Sequence, residues 1–168
     1  TKAATIAIAK HQGPVYLRFG RPKVANFTPV DQTFEIGKAL KLTEGTDVTI
    51  VATGHLVWEA LEAAKSLNEK GISAEVINIH TIKPLDDKAI IDSVIKTGCI
   101  VTAEEHNILG GLGESIARVL SLHRPAPQEF VATQDTFGES GTPAQLMENY
   151  GLNANDTINA CDKDIKRK

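Results

Sequence analysis

VTIVATGHLVWEALEAAKSLNEKGISAEVINIH, residues 48–80, sets two apolar runs on either side of one amphipathic stretch. The runs VTIVATG (48–54) and SAEVINIH (73–80) are apolar at consecutive positions, as strands covered on both faces are. Between them Leu56, Val57, Ala60, Leu61, Ala64 and Leu67 recur at three- and four-residue spacing and stop at Lys70-Gly71. A basic last turn and a terminal glycine close a helix favourably. Strand, helix and strand in that order describe one unit of a parallel sheet.

The alternation continues outward. A second helix opens with Pro84 and Asp86-Asp87 and carries Ile90, Ile91, Val94 and Ile95 before Gly98. CIVTAEEH (99–106) is the next strand. A third helix turns Ile116, Ala117, Val119 and Leu120 inward and ends before Pro125, and EFVAT (129–133) follows as a strand. On the other side, TFEIGKALKL (33–42) is followed only by the turn TEGTD, too short for a crossover helix. It therefore pairs antiparallel at the first edge. PAQLMENYGL and NANDTINACDKDI read as two short C-terminal helices joined at Tyr150-Gly151.

The expected fold is α/β: a three-layer αβα domain over residues 31–168, its five-stranded, mostly parallel sheet bearing the first strand antiparallel at the edge. Residues 1–30 belong elsewhere. A helix from Thr1 to Lys10, a strand VYLRF (15–19) and a loop stiffened by Pro22 and Pro29 read as the remnant and linker of a preceding domain. With no methionine at its start, the chain reads as cut from something longer.

Composition excludes several classes. Eighteen Lys and Arg against 21 Asp and Glu give a net charge of -3, with no basic stripe for nucleic acid. No run approaches the ~20 apolar residues of a membrane span, and no signal-peptide pattern opens the chain. Cys99 and Cys161 have neither framework nor metal spacing, so reduced thiols in a cytoplasmic protein are the simplest account.

The segment AEEHNILGGLGES (103–115) concentrates chemistry: Glu104, Glu105, His106 and the glycines Gly110, Gly111 and Gly113. It is a strand-to-helix turn, where open parallel sheets bind ligands, and its glycines would offer N–H groups to an anion. It lacks the dinucleotide fingerprint and a P-loop lysine, and Glu114 in the first helical turn already serves the helix dipole. A structural turn packed on a neighbouring domain or subunit is the competing reading. His55, His80 and His106 close three strands at one edge, without the further ligand a metal requires. In GPVYLRFGRPK (13–23), Arg18 and Arg21 flank Gly20, suited either to a phosphate or carboxylate or to an interdomain salt bridge.

Taken together, GPVYLRFGRPK (13–23), VATGHLVWEALEAA (51–64), INIHTIKPLD (77–86), EEHNILGGLGES (104–115) and FGESGTPAQLMENYGL (137–152) resemble transketolase in order and spacing. The likeness covers essentially the whole chain: the end of the pyrimidine-binding domain and the complete C-terminal domain, as in full-length enzymes or the C-terminal subunits of split ones. TIKPLD and SGTPAQLMENYGL favour transketolase over its relatives.

This resemblance implies ketol transfer between sugar phosphates in the pentose phosphate pathway, with thiamine diphosphate and Mg held by the rest of a homodimeric enzyme. The N-terminal domains or subunit would be the partner. It places Arg21 on the arginine that contacts the sugar phosphate and Arg18 on a second arginine of some relatives, and assigns no catalytic, cofactor or metal residue here. Gly20 departs from the serine common at its position. The alternatives are the β component of a 2-oxoacid dehydrogenase, a deoxyxylulose phosphate synthase, and a non-enzymatic ligand-binding module using AEEHNILGGLGES. The last predicts that a bulky residue at Gly113 abolishes binding without unfolding the chain.

Overall fold

The structure, a computed structural model, describes residues 1–20, 24–29 and 31–168. Helix α1 (Lys2–Ile8) is followed by β1 (Leu40–Thr43), β2 (Val48–Ala52), α2 (Leu56–Glu69), β3 (Ala74–Asn78), α3 (Asp87–Thr97) and β4 (Ile100–Asn107). Then come α4 (Leu112–His123), β5 (Gln128–Thr133), α5 (Pro143–Asn149) and α6 (Ala154–Ile165). The sheet order is β1-β3-β2-β4-β5, with β1 antiparallel to β3 and the other pairs parallel.

Why the strands lack alternation is visible in the packing. Val48, Ile50 and Ala52 of β2 pack with Leu56, Ala60 and Leu67 of α2 and Ile158 and Cys161 of α6. Val51, between them in sequence, joins Ile90 and Val94 of α3 and Ile116 and Val119 of α4 on the other face. Successive side chains point to opposite faces, and both faces are covered.

Two capping features fix the ends of α3. Asp86 Oδ1 accepts from Ala89 N–H at 3.3 Å, and its Oδ2 accepts from Ala39 N–H at 3.0 Å, so one carboxylate caps the helix and holds the entry to β1. Gly98 closes the helix at φ +82°, where a side chain would be strained, and its N–H reaches Val94 O at 2.9 Å.

Two expectations change. Only the last residues of TFEIGKALKL enter a strand, which spans Leu40–Thr43, because Lys38 N–H donates to Glu35 O at 3.2 Å and Gly37 sits at φ +83°. The turn sends Phe34 away to stack on His80, ring centres 4.1 Å apart. VYLRF forms no strand, and Val15, Tyr16 and Phe19 are exposed; a strand exists only beside a partner, and these residues find none among the described residues. The C-terminal helix α6 contributes to the core: Ile158 and Cys161 face the sheet. Both thiols are buried and free. Burial pushes Cys99 up to about 11 and Cys161 further still, so neither carries thiolate near neutrality.

Asp164 joins α6 to the sheet. It is fully buried and its Oδ2 accepts the Ile100 N–H at 3.0 Å. Burial pushes its carboxyl up to about 6, against the opposing pull of that hydrogen bond. The folded chain thus keeps a proton that the unfolded chain releases at lower pH. The stability this group contributes is fully present below its unfolded value and is lost as pH rises through about 6. Urea unfolding at several pH values should show a decline from about pH 4 to 6.5 in the native protein that is absent from Asp164→Asn. Parallel curves for the two proteins would contradict this origin.

Candidate functional site at the carboxyl edge of the sheet

Neighbouring strands β2 and β4 lead into helices on opposite faces, α2 and α4. Their chains diverge at the carboxyl edge, the place where open α/β sheets receive ligands. Two side chains meet there. His55, the residue before α2, and Glu105, near the end of β4, bring Nδ1 and Oε2 to 3.3 Å. The imidazole is mostly covered, whereas Glu105 is about half exposed. Over the other end of the ring lies the backbone of Gly20. A Cβ built there would come within 2.7 Å of His55 Cε1 and closer still to Nε2. The N-terminal segment therefore touches the crevice at Gly20.

The adjacent anion site is filled from within. Glu104 is buried, and its Oε2 and Oε1 accept the Leu112 and Gly113 N–H groups at 2.7 and 2.8 Å. These are the free donors of the first turn of α4, and the carboxylate also answers the positive end of the helix. Glu114 accepts the Gly110 N–H at 2.8 Å. Gly111 lets Glu104 approach: a Cβ there would come within 2.7 Å of Glu104 Cδ. At Gly113 a Cβ would lie 2.7 Å from Phe130 Cε1 and 3.0 Å from Thr102 Oγ1. The turn has the anion-binding geometry expected of it, with Glu104 as its anion.

Glu114 lies in the first turn of α4 as expected and accepts the Gly110 N–H, and Glu104 joins it at the helix end, because a carboxylate in β4 can reach forward eight and nine residues to the following helix. The ligand-binding module built on AEEHNILGGLGES loses its binding groups to Glu104, and a bulky residue at buried Gly113 collides with the sheet, so it cannot be a clean probe of binding.

The three histidines do not converge. His80 stacks on Phe34, its Nδ1 lies 3.0 Å from Thr81 Oγ1, and burial lowers its basicity. His106 is exposed, Nδ1 2.8 Å from Asn107 O. Strands β3 and β4 flank β2, which separates these two rings. Among the described residues no group of three or more His, Cys, Asp or Glu side chains is placed to hold a metal ion.

Arg18 is exposed and forms no ion pair among the described residues. Arg21 lies outside the described residues. The contact of Gly20 with His55 was not legible in the sequence, since the two lie 35 positions apart and nothing in the motif around either one pairs it with the other. A cavity of about 350 Å³ opens away from this edge, beside β1, β3 and α3, where Lys41 and Lys96 pair with buried Glu75. No helix among the described residues is long and apolar enough to cross a membrane.

Comparison with known proteins agrees with this architecture. The sequence profile of the transketolase C-terminal domain matches residues 37–157. The chain is 44% identical over 99% of its length to the 6-deoxy-6-sulfo-D-fructose transketolase subunit of Clostridium sp. (strain MSTE9), spanning 52% of that protein. It is 40% identical over 86% of its length to 1-deoxy-D-xylulose-5-phosphate synthase 1 of Geobacter sulfurreducens, spanning 23% of it. A solved structure titled a split-gene transketolase in an inactive β4 tetramer superposes with a TM-score of 0.93 at 46% identity, over 98% of this chain and 55% of that one. The chain thus spans about half, or less, of the relatives it matches. On the profile match and these identities, the chain belongs to the transketolase C-terminal domain family.

Proposed function

We propose that this chain is the C-terminal part of a thiamine-diphosphate-dependent transketolase that moves two-carbon ketol units between sugar phosphates. The observation that carries the reading is the likeness to a split-gene transketolase over 98% of the chain. Residues 1–30 then close a preceding pyrimidine-binding domain. The unpaired, apolar VYLRF segment supports this, because a strand-like stretch with exposed Val15, Tyr16 and Phe19 needs a sheet to join. Residues 31–168 supply packing against the remaining domains and across a homodimer. The two buried, free thiols suit a cytoplasmic location.

The described residues do not fit thiamine diphosphate or its metal. The α4 N–H groups that a diphosphate would use are engaged by Glu104, whose charge repels it, and no suitable carboxylate or histidine cluster is formed. This reading assigns the cofactor and Mg to the partner domains or subunit.

Arg21, with Arg18 as a second candidate, is the substrate-phosphate residue of this reading. Two relatives' names specify an anionic sugar, one sulfonated and one phosphorylated, and a guanidinium fork matches either group. In the assembled enzyme Arg21→Ala should raise KM for ribose 5-phosphate by about 10- to 100-fold, equivalent to about 1.5–3 kcal/mol, with kcat little changed. Unchanged KM would return Arg21 to a salt-bridge role.

Sugar-phosphate conversion tests the whole reading. The chain alone should be inactive and should gain ketol transfer when the cofactor-binding part is supplied; transfer by the chain alone would overturn it. Deoxyxylulose phosphate synthesis is the second reading, favoured by the Geobacter relative. Condensation of pyruvate with glyceraldehyde 3-phosphate, in place of ketol transfer to ribose 5-phosphate, would select it.

A further inference from the structure

Glu75 interrupts an otherwise aliphatic surface. It shares a face of β3 with Ile77, toward α3, and its side chain is 1% exposed. Lys41 Nζ lies 3.4 Å from its Oε2, and Lys96 Nζ bonds the same oxygen. Apolar replacement of a buried ion pair is often neutral or stabilising, so fold stability does not account for this cluster. The function proposed above does not use it either.

Both ammonium groups also reach outward to one exposed carboxylate. Lys41 Nζ lies 3.1 and 3.2 Å from the two oxygens of Glu44, and Lys96 Nζ lies 3.3 Å from one of them. These contacts, that of Lys41 foremost, hold the Glu44 carboxyl below its usual range, so an ionised group sits there at neutral pH. The same two lysines and Glu75 line the cavity of about 350 Å³ between β1 and α3, together with Ala39, Ile77 and Ala89. That volume suits a small molecule.

We propose that this cavity binds a small organic monocarboxylate, whose carboxylate displaces Glu44 and takes its place between Lys41 and Lys96 while its short apolar body covers Ala39, Ile77 and Ala89. Glu44 supplies the geometry: it is a carboxylate already held by both ammonium groups, and an exposed side chain gives up such pairs at little cost. Charge decides the class. Asp92, also on the cavity wall, is paired with Lys88. With Glu44 displaced, two ammonium groups face the buried Glu75, which leaves one positive charge for a monoanion, whereas a phosphate dianion would crowd Glu75 with excess negative charge.

Butyrate, butanol and inorganic phosphate are titrated separately into the full 168-residue chain, followed by amide and methyl NMR shifts, with thermal unfolding of each variant. Butyrate should saturate with a Kd of about 1 mM and move the signals of Ala39, Ile77 and Ala89. Glu44→Ala should tighten it about three- to tenfold by removing the internal competitor. Glu139→Ala, which removes an exposed carboxylate beyond β5 at the opposite edge of the sheet, should leave it unchanged. Lys41→Met keeps Lys96 as the partner of Glu75 and should weaken butyrate about tenfold or more. Should that variant melt early, the exposed Glu44→Ala change still reads the site.

No saturable shift in either the native chain or Glu44→Ala up to about 20 mM butyrate would overturn the proposal. So would butanol matching butyrate, which makes the cavity merely apolar, or phosphate binding more tightly than butyrate. Shifts spread over surface lysines, or a gain with Glu139→Ala equal to that with Glu44→Ala, would reduce the effect to general charge and overturn it as well.

Discussion

Replacing Glu104 by alanine lowers the unfolding free energy by about 3–5 kcal/mol, a large share of the stability of a domain this size. The side chain is buried and both of its oxygens accept N–H groups of the α4 first turn. Removing it leaves the Leu112 and Gly113 donors without a partner, each costing about 1–3 kcal/mol, and opens a cavity beneath Gly111. Glu104→Gln is the sharper probe. It keeps the volume, yet its single oxygen serves one donor while its amide faces the other, so it should fall between alanine and the native protein. Urea unfolding of the three proteins reads this order directly. An alanine variant within about 1 kcal/mol of native would mean that water satisfies the helix end, and the internal-anion account of the turn would fail.

Gly113→Val should cost about 3 kcal/mol or more, at the high end of overpacking changes. The cause is the closeness of Phe130 and Thr102, which belong to neighbouring strands and cannot both move aside. Shifting α4 instead would lengthen the Gly113 bond to Glu104, so the collision is coupled to the first loss. Glu104→Ala and Gly113→Val should therefore be less than additive in combination. A Gly113→Val chain that unfolds at native urea concentration would show that the helix end has room the coordinates deny it.

Much of this fold was legible because burial on two faces leaves a plain trace. Val51 lies between Ile50 and Ala52, one core taking the first and the other core its neighbours, so a run without alternation had to be a central strand. The antiparallel edge was equally readable from the short TEGTD turn after β1. VYLRF failed as a strand for the complementary reason: its composition suits a ladder, but composition carries no information on whether a partner is present.

The site was less legible. Glycines at Gly111 and Gly113 announced an exposed helix terminus, and the carboxylate that fills it stood in plain view at the end of β4. What sequence spacing cannot express is the partner each side chain meets: Glu104 points to α4 while Glu105, the next residue, points to His55. That alternation is the ordinary property of a strand. It divides one acidic pair between two tasks.

If the cofactor is held outside this chain, the most direct measurement is calorimetric titration of the 168-residue chain alone with thiamine diphosphate and Mg²⁺. No binding heat up to about 1 mM is the expected result, with inorganic pyrophosphate equally silent because Glu104 already occupies the α4 terminus. Stoichiometric binding with a Kd of about 10 μM or tighter would contradict it and move the reactive machinery into these residues.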